Sequence, residues 1–242
     1  MNSSPALDRV RIVLSHTSHP GNIGAAARAM KTMGLTRLFL VKPRRYPHAD
    51  AEAFAAGAAD VLANATLCES LEQALAGTVF TVGTTARRRD LPQEVRGCRD
   101  ACTRLASATA DGDVALVFGP ERSGLTAGDA MRCTLLATID GNPDYFSLNL
   151  AQAVQVFAYE LRIATQGEAP PAVPATVPAT HEELEALFRH LEQTMLEVGF
   201  LNPRQPKKLM QRMRRLISRA RLEKEELNIL RGFLRAAQRK LD

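Results

Sequence analysis

The chain has 242 residues, 45% of them hydrophobic, and a formal net charge of +5 with no tryptophan. That is enough for one sizeable core plus an appendage, built mainly from Ala, Val, Leu and Ile. No window approaches the ~20 apolar residues of a membrane helix and the N-terminus has no signal-peptide pattern, so a cytoplasmic protein without membrane partners is expected. The charge is unevenly placed. Residues 1–180 hold 17 Lys+Arg against 17 Asp+Glu, whereas residues 181–242 hold 14 against 9, so the whole excess lies at the C-terminal end.

In chain order, five short apolar runs read as buried strands: Val10–Ser15, Arg37–Pro43, Thr78–Thr85, Val114–Glu121 and Leu135–Ile139. Between them lie helical patterns at Asn22–Met33, Asp50–Ala58, Glu69–Ala76, Asp100–Ala108 and Ala127–Cys133, followed by a longer one from Leu148 to about Thr165. This alternation predicts an α/β unit over residues 1–166, with a mostly parallel sheet covered on both faces. Asn22 reads as the cap of the first helix and Gly34 as its left-handed stop, while Thr126–Asp129 has a capping-box pattern. Residues 167–180 carry four prolines and read as a linker. Residues 181–242 then turn all-helical, with helices at Glu182–Glu197, Pro206–Leu222 and Lys224–Leu241.

The middle helix of that extension is unusual. From Arg204 to Arg221 there are eight basic residues and no acid. Solvated helices normally mix signs, so contact with nucleic-acid phosphates competes here with a plain exposed face. Cys68, Cys98, Cys102 and Cys133 include no CxxC pair, and the five histidines do not join them at zinc spacing, so reduced thiols and no metal are expected.

Three turns follow late strands: "GTTARRR" (Gly83–Arg89), "FGPERSGL" (Phe118–Leu125) and "GNPDYFSLNLAQAV" (Gly141–Val154). In parallel sheets ligands gather at the carboxyl ends of strands, so the three predict one pocket. GxGxxG and GxxxxGK[ST] are both missing, as is a GxSxG elbow, which disfavours dinucleotide, P-loop and serine-hydrolase chemistry. In "HPGNIGAAARAM" the periodicity puts Ile23, Ala26, Ala27, Met30 and Met33 on an apolar face. Gly24, Arg28 and Lys31 lie on a flank away from it. Glu121 is left open between ordering its loop and serving the site.

"GNIGAAARAMKTMGL", "LVFGPERSGL" and "NPDYFSLNLAQAVQVFAYELR", in that order, resemble the three motifs of SPOUT methyltransferases, most closely those of the bacterial TrmJ family. The resemblance runs from about Val10 to Arg162, and the proline-rich linker and helical tail also fit. It implies an α/β SPOUT fold with a C-terminal trefoil knot, a topology that general connection rules disfavour. A homodimer that binds S-adenosylmethionine and methylates the ribose 2′-oxygen of tRNA nucleotide 32 is implied too. Matched to the family's cofactor loops, the contacts fall on Thr84, Thr85, Ala86, Gly119, Ile139, Phe146, Ser147 and Leu148. The catalytic arginine matches Arg28, which would stabilise negative charge on the attacking oxygen. For RNA contact the candidates are Arg87, Arg88 and Arg89 beside the first loop, and Lys207, Lys208, Arg212 and Arg215 in the tail. The sequence departs from the family's pattern at Asp140–Gly141 and Phe146, where smaller residues are usual. Two rival readings are the same chemistry on another RNA, such as rRNA, and an RNA-binding protein that keeps the fold without activity.

Overall fold

The computed structural model describes residues 5–86, 94–142, 144–145, 147–166, 177–205 and 207–239. Among these, seven strands form one all-parallel sheet: β1 (Val10–Ser15), β2 (Arg37–Val41), β3 (Thr66–Cys68), β4 (Thr78–Thr84), β5 (Val95–Gly97), β6 (Asp113–Phe118) and β7 (Leu135–Thr138), in the order β3-β2-β1-β6-β4-β7-β5. The five predicted strands are present. Two more, β3 and β5, are three-residue edge strands too short to show a period.

Alternate side chains of the central strands face opposite layers, as strand geometry requires. Ile12, Leu14, Leu116 and Phe118 pack under α1 (Pro20–Met33), α5 (Cys98–Ala108) and α7 (Leu150–Gln166). Val13, Ala115, Val117 and Leu136 pack on the other face against α4 (Leu71–Leu75) and α6 (Ala127–Met131). Phe118 meets Phe157 of α7 edge-on, with ring centroids 5.7 Å apart. The first layer also holds α2 (Ala49–Ala55) and α3 (Ala59–Ala63) against α1.

The start of α1 corrects one expectation. Pro20, pre-set for the first helical position, opens the helix two residues before Asn22, and His19 occupies the cap position without a side-chain bond. Asn22 is therefore not the cap. Gly34 ends the helix at φ 84, as expected. Gly24 does not share an exposed flank with Arg28: it is buried, and a Cβ on it would stand 2.0 Å from the Ala51 carbonyl oxygen. Its bare backbone lets α2 cross α1 at contact distance. Lys31 donates to Asp60 of α3 at 2.7 Å and to the Gly57 carbonyl at 2.9 Å.

Three helices follow: α8 (His181–Glu197), α9 (Leu209–Ala220) and α10 (Lys224–Gln238). Thr180 and Glu183 close a capping box at the start of α8. Ala179, Leu187, Phe188, Ile217, Leu227 and Leu234 form a small core of their own. The end of the predicted linker belongs to this cluster. Ala179 is buried, its N–H donates to the Leu222 carbonyl, and the Lys224 N–H donates to that of Val177.

Candidate active site

The three late turns meet. The ends of β4, β6 and β7 and the start of α7 enclose a cavity of about 230 Å³. Its wall includes Thr84, Thr85, Ala86, Gly119, Ile139, Ser147 and Leu148, seven of the eight residues matched to cofactor loops. The eighth, Phe146, and the candidate RNA contacts Arg87, Arg88 and Arg89 lie outside the described residues. The sequence reading missed the apolar floor supplied by Leu125, Leu136 and Phe157, residues that a strand-and-helix pattern assigns simply to core.

Glycine sets the shape of the middle loop. A Cβ on Gly119 would lie 2.3 Å from the Leu125 N and 2.4 Å from the Gly124 carbonyl carbon, so the loop can fold back on itself only without one. Gly124 reverses the chain at φ 64. Arg122 is the only cation among the described residues of the wall.

A hydrogen-bonded relay ties this loop to both flanking helices. The Glu121 carboxylate accepts from the Ser18 N–H (3.0 Å), the Ser18 hydroxyl (2.8 Å), the His19 N–H (3.2 Å) and the Asn22 amide (2.9 Å). Four donors converging on one carboxylate favour its charged form. Burial opposes them, but the bonds from Ser18 and Asn22 win and hold the carboxyl down at about 2. Glu121 thus orders the loop, and it also lines the cavity. Asn22 passes the link on: its Oδ1 accepts from Nδ2 of Asn149 at 3.0 Å. The Asn149 side chain in turn accepts from the Ala151 N–H at 2.9 Å in the first turn of α7. Asn149 therefore caps the start of α7. Glu121, Asn22 and Asn149 come one from each recognised motif. A carboxylate, a carboxamide and a second carboxamide can form such a chain because each amide both donates and accepts.

Arg28 sits six residues beyond Asn22 on α1. It is exposed, its guanidinium makes no hydrogen bond or ion pair among the described residues, and it is not part of the cavity wall. The tail cations include both paired and unpaired ones. Arg214 forms a two-pronged ion pair with Glu185 (2.5 and 2.9 Å) and stacks on Phe188, its guanidinium carbon 4.4 Å from the ring centroid. Arg221 reaches Asp111 at 3.5 Å and lies over Phe80. Lys207, Lys208, Arg212 and Arg215 are exposed, without ion pairs among the described residues. The tail docks at the beginning of β4, where the Gly77 N–H donates to Glu182 at 2.7 Å, whereas the cavity opens at the end of that strand.

The four cysteines are buried and unbridged, and no metal-binding group of His, Cys, Asp or Glu occurs among the described residues. No helix among them is long and apolar enough to cross a membrane.

Comparison with known proteins places this geometry. Residues 9–159 match the SpoU rRNA Methylase family, and residues 182–242 match the tRNA methyltransferase TrmJ C-terminal domain. The chain is 49% identical over 240 residues to a tRNA (cytidine/uridine-2′-O-)-methyltransferase TrmJ of Pectobacterium atrosepticum, covering 98% of this chain and 99% of that one. It is 47% identical over 244 residues to a tRNA (cytidine/uridine/adenosine-2′-O-)-methyltransferase TrmJ of Pseudomonas aeruginosa, covering 96% and 95%. The crystal structure of TrmJ from Z. mobilis superposes with a TM-score of 0.81 at 33% identity, over 93% of this chain and 97% of that one. The chain belongs to the SpoU methylase family, in its TrmJ group.

Proposed function

We propose that this protein is a cytoplasmic homodimeric enzyme that methylates the ribose 2′-hydroxyl of nucleotide 32 in the tRNA anticodon loop, using S-adenosylmethionine. The α/β unit (1–166), its C-terminal part threaded as a trefoil knot, performs the chemistry. The helical extension (181–242), joined through 167–180, holds the RNA. One observation carries the reading: a single cavity framed by the three late turns, bound by the Glu121–Asn22–Asn149 relay to the helix that bears Arg28. The relatives named above, tRNA 2′-O-methyltransferases across their whole lengths, support the substrate class.

The residues present fit the cofactor. It carries no phosphate, and the wall offers an apolar slot of Leu125, Leu136, Ile139 and Leu148 rather than a cationic cradle. The tight loop at Gly119 brings backbone against the cavity where a side chain would fill it. When bound, S-adenosylmethionine supplies an electrophilic methyl: the O–CH₃ bond forms as the S–CH₃ bond breaks, and S-adenosylhomocysteine leaves.

The chain's own residues do the rest. Thr84, Thr85, Ala86, Gly119, Ile139, Phe146, Ser147 and Leu148 bind and orient the methyl donor. The Arg28 guanidinium carries only hydrogen-bond donors and no acceptor, so it does not take up the hydroxyl proton. It instead favours the proton's departure to solvent by stabilising the negative charge that grows on the attacking oxygen. Arg28 lies outside the cavity wall, and the proposed homodimer would put the reacting ribose between two protomers. Arg87, Arg88, Arg89, Lys207, Lys208, Arg212 and Arg215 take up phosphates.

The test is methylation of unmodified tRNA in vitro, with the product mapped by nuclease digestion and mass spectrometry. The expected result is one 2′-O-methyl group at nucleotide 32 that depends on S-adenosylmethionine. Methyl on a base, at another nucleotide, or on rRNA in preference to tRNA contradicts the proposal.

A further inference from the structure

A second cavity lies in the tail, away from the strand ends. After α8 ends at Glu197, Gly199 reverses the chain at φ 72. The buried Leu201 pins the turn, its N–H donating to the Met195 carbonyl at 2.9 Å, and this throws Phe200 outward, 65% exposed. The chain returns through a compact turn in which Asn202 Oδ1 accepts from the Arg204 N–H and the Asn202 carbonyl from the Gln205 N–H. It then enters α9 through Lys207, whose backbone is left-handed at φ 49, a conformation a long side chain adopts only under constraint. Phe200, Asn202, Gln205, Lys207, Lys208 and Arg212 border a cavity of about 530 Å³ whose described wall contains no acid.

An exposed aromatic face beside three cations and two carboxamides is a specific combination. The ring presents a flat apolar surface on which a nucleobase can stack. The amides of Asn202 and Gln205 can exchange hydrogen bonds with a base edge. Lys207, Lys208 and Arg212 neutralise the flanking phosphates. Bases inside a duplex are already stacked on both sides, so only an unpaired nucleotide can use the ring.

We infer that this cavity is a second nucleotide-binding site that captures an unpaired nucleotide of the RNA substrate, its base stacked on Phe200 and its phosphates held by Lys207, Lys208 and Arg212. The inference rests on the reading of the protein as a tRNA-binding enzyme and adds to it a sequence-tolerant grip that shares no wall residue with the cavity at the strand ends.

Phe200 is exposed, so F200A and F200W leave the core intact. The experiment measures the tRNA affinity of the full-length protein across a salt series. F200A is expected to weaken binding about 5- to 100-fold with the slope of log K against log [salt] unchanged, and F200W to restore it. The triple variant K207A/K208A/R212A is expected to flatten that slope by about 2 to 3. A photo-crosslinking phenylalanine at position 200 is expected to label an unpaired nucleotide. Wild-type affinity in F200A, or crosslinks confined to paired stems, overturns the inference. Wild-type methylation measured in the same preparation separates the two readings. Methylation at nucleotide 32 with Phe200-insensitive binding overturns the second site alone. Phe200-dependent binding without methylation overturns the proposed activity alone.

Discussion

The α/β unit and the helical tail hold their polar side chains in opposite ways. Around the cavity, polar groups are spent on one another: Glu121 takes four hydrogen bonds, Asn22 links to Asn149, and Asn149 caps α7. In the tail, Arg214 is spent on Glu185 and Phe188 and the exposed Arg221 reaches Asp111 and Phe80, while Arg204, Lys207, Lys208, Arg212, Arg215 and Arg219 stay exposed without ion pairs among the described residues. The first arrangement fixes positions, which transition-state stabilisation needs. The second supplies exposed charge, which counterion release rewards without demanding fixed geometry. Under the proposed function, this contrast assigns the rate to the α/β unit and the affinity to the tail.

The largest effect expected is at Arg28. Arg28→Ala should lower kcat about 10²- to 10³-fold, the scale of losing one charge-stabilising donor, while calorimetry finds cofactor affinity unchanged. Next comes Gly119→Ala, whose Cβ would meet the Leu125 N at 2.3 Å. Overpacking of this kind costs about 1–3 kcal/mol, and cofactor affinity by calorimetry should fall about 5- to 150-fold with tail helicity unaltered. In the tail, Arg214→Ala should destabilise the helical cluster by about 1–3 kcal/mol, because it leaves the largely buried Glu185 without its partner. Hydrogen exchange of α8 and α9 reads that loss, and the α/β unit should keep its protection.

Acid should separate the regions more gently. Burial, joined by Arg214, pushes His181 below its usual value against the pull of Glu185 and Glu182. The unfolded state therefore binds the proton more tightly, and this contribution to tail stability begins to fall as pH drops through 6.5. Glu121 is held at about 2 against 4.5, so its contribution is complete above 4.5 and is lost only as pH falls toward 2. Amide exchange followed from pH 7 to pH 3 should show α8 opening before the start of α1. The reverse order breaks the contrast.

Much of this was legible in the sequence, for reasons particular residues make plain. Val10–Ser15 reads as a strand because its apolar run is complete, and β1 has those bounds. Seven of the eight residues matched to cofactor loops line one cavity, because the turns that carry them come together in space. Asn22 misled because a carboxamide near a helix start resembles a cap, while Pro20 had already started the helix. Gly24 misled because periodicity sees one helix and not the Ala51 carbonyl crossing it. Arg214 looked like its neighbours in the basic run. Only the fold brings Glu185, twenty-nine residues earlier, against it.

The division between rate and affinity is tested most directly by a double-mutant cycle between Arg28→Ala and Lys208→Ala, with kcat and tRNA affinity measured separately. The account predicts that Arg28→Ala changes kcat alone, that Lys208→Ala changes affinity and takes about 1 off the salt slope, and that the two effects on kcat/KM add within about 0.5 kcal/mol. A loss of tRNA affinity in Arg28→Ala equal to its loss of rate, or a drop in kcat in Lys208→Ala at saturating tRNA, would contradict it.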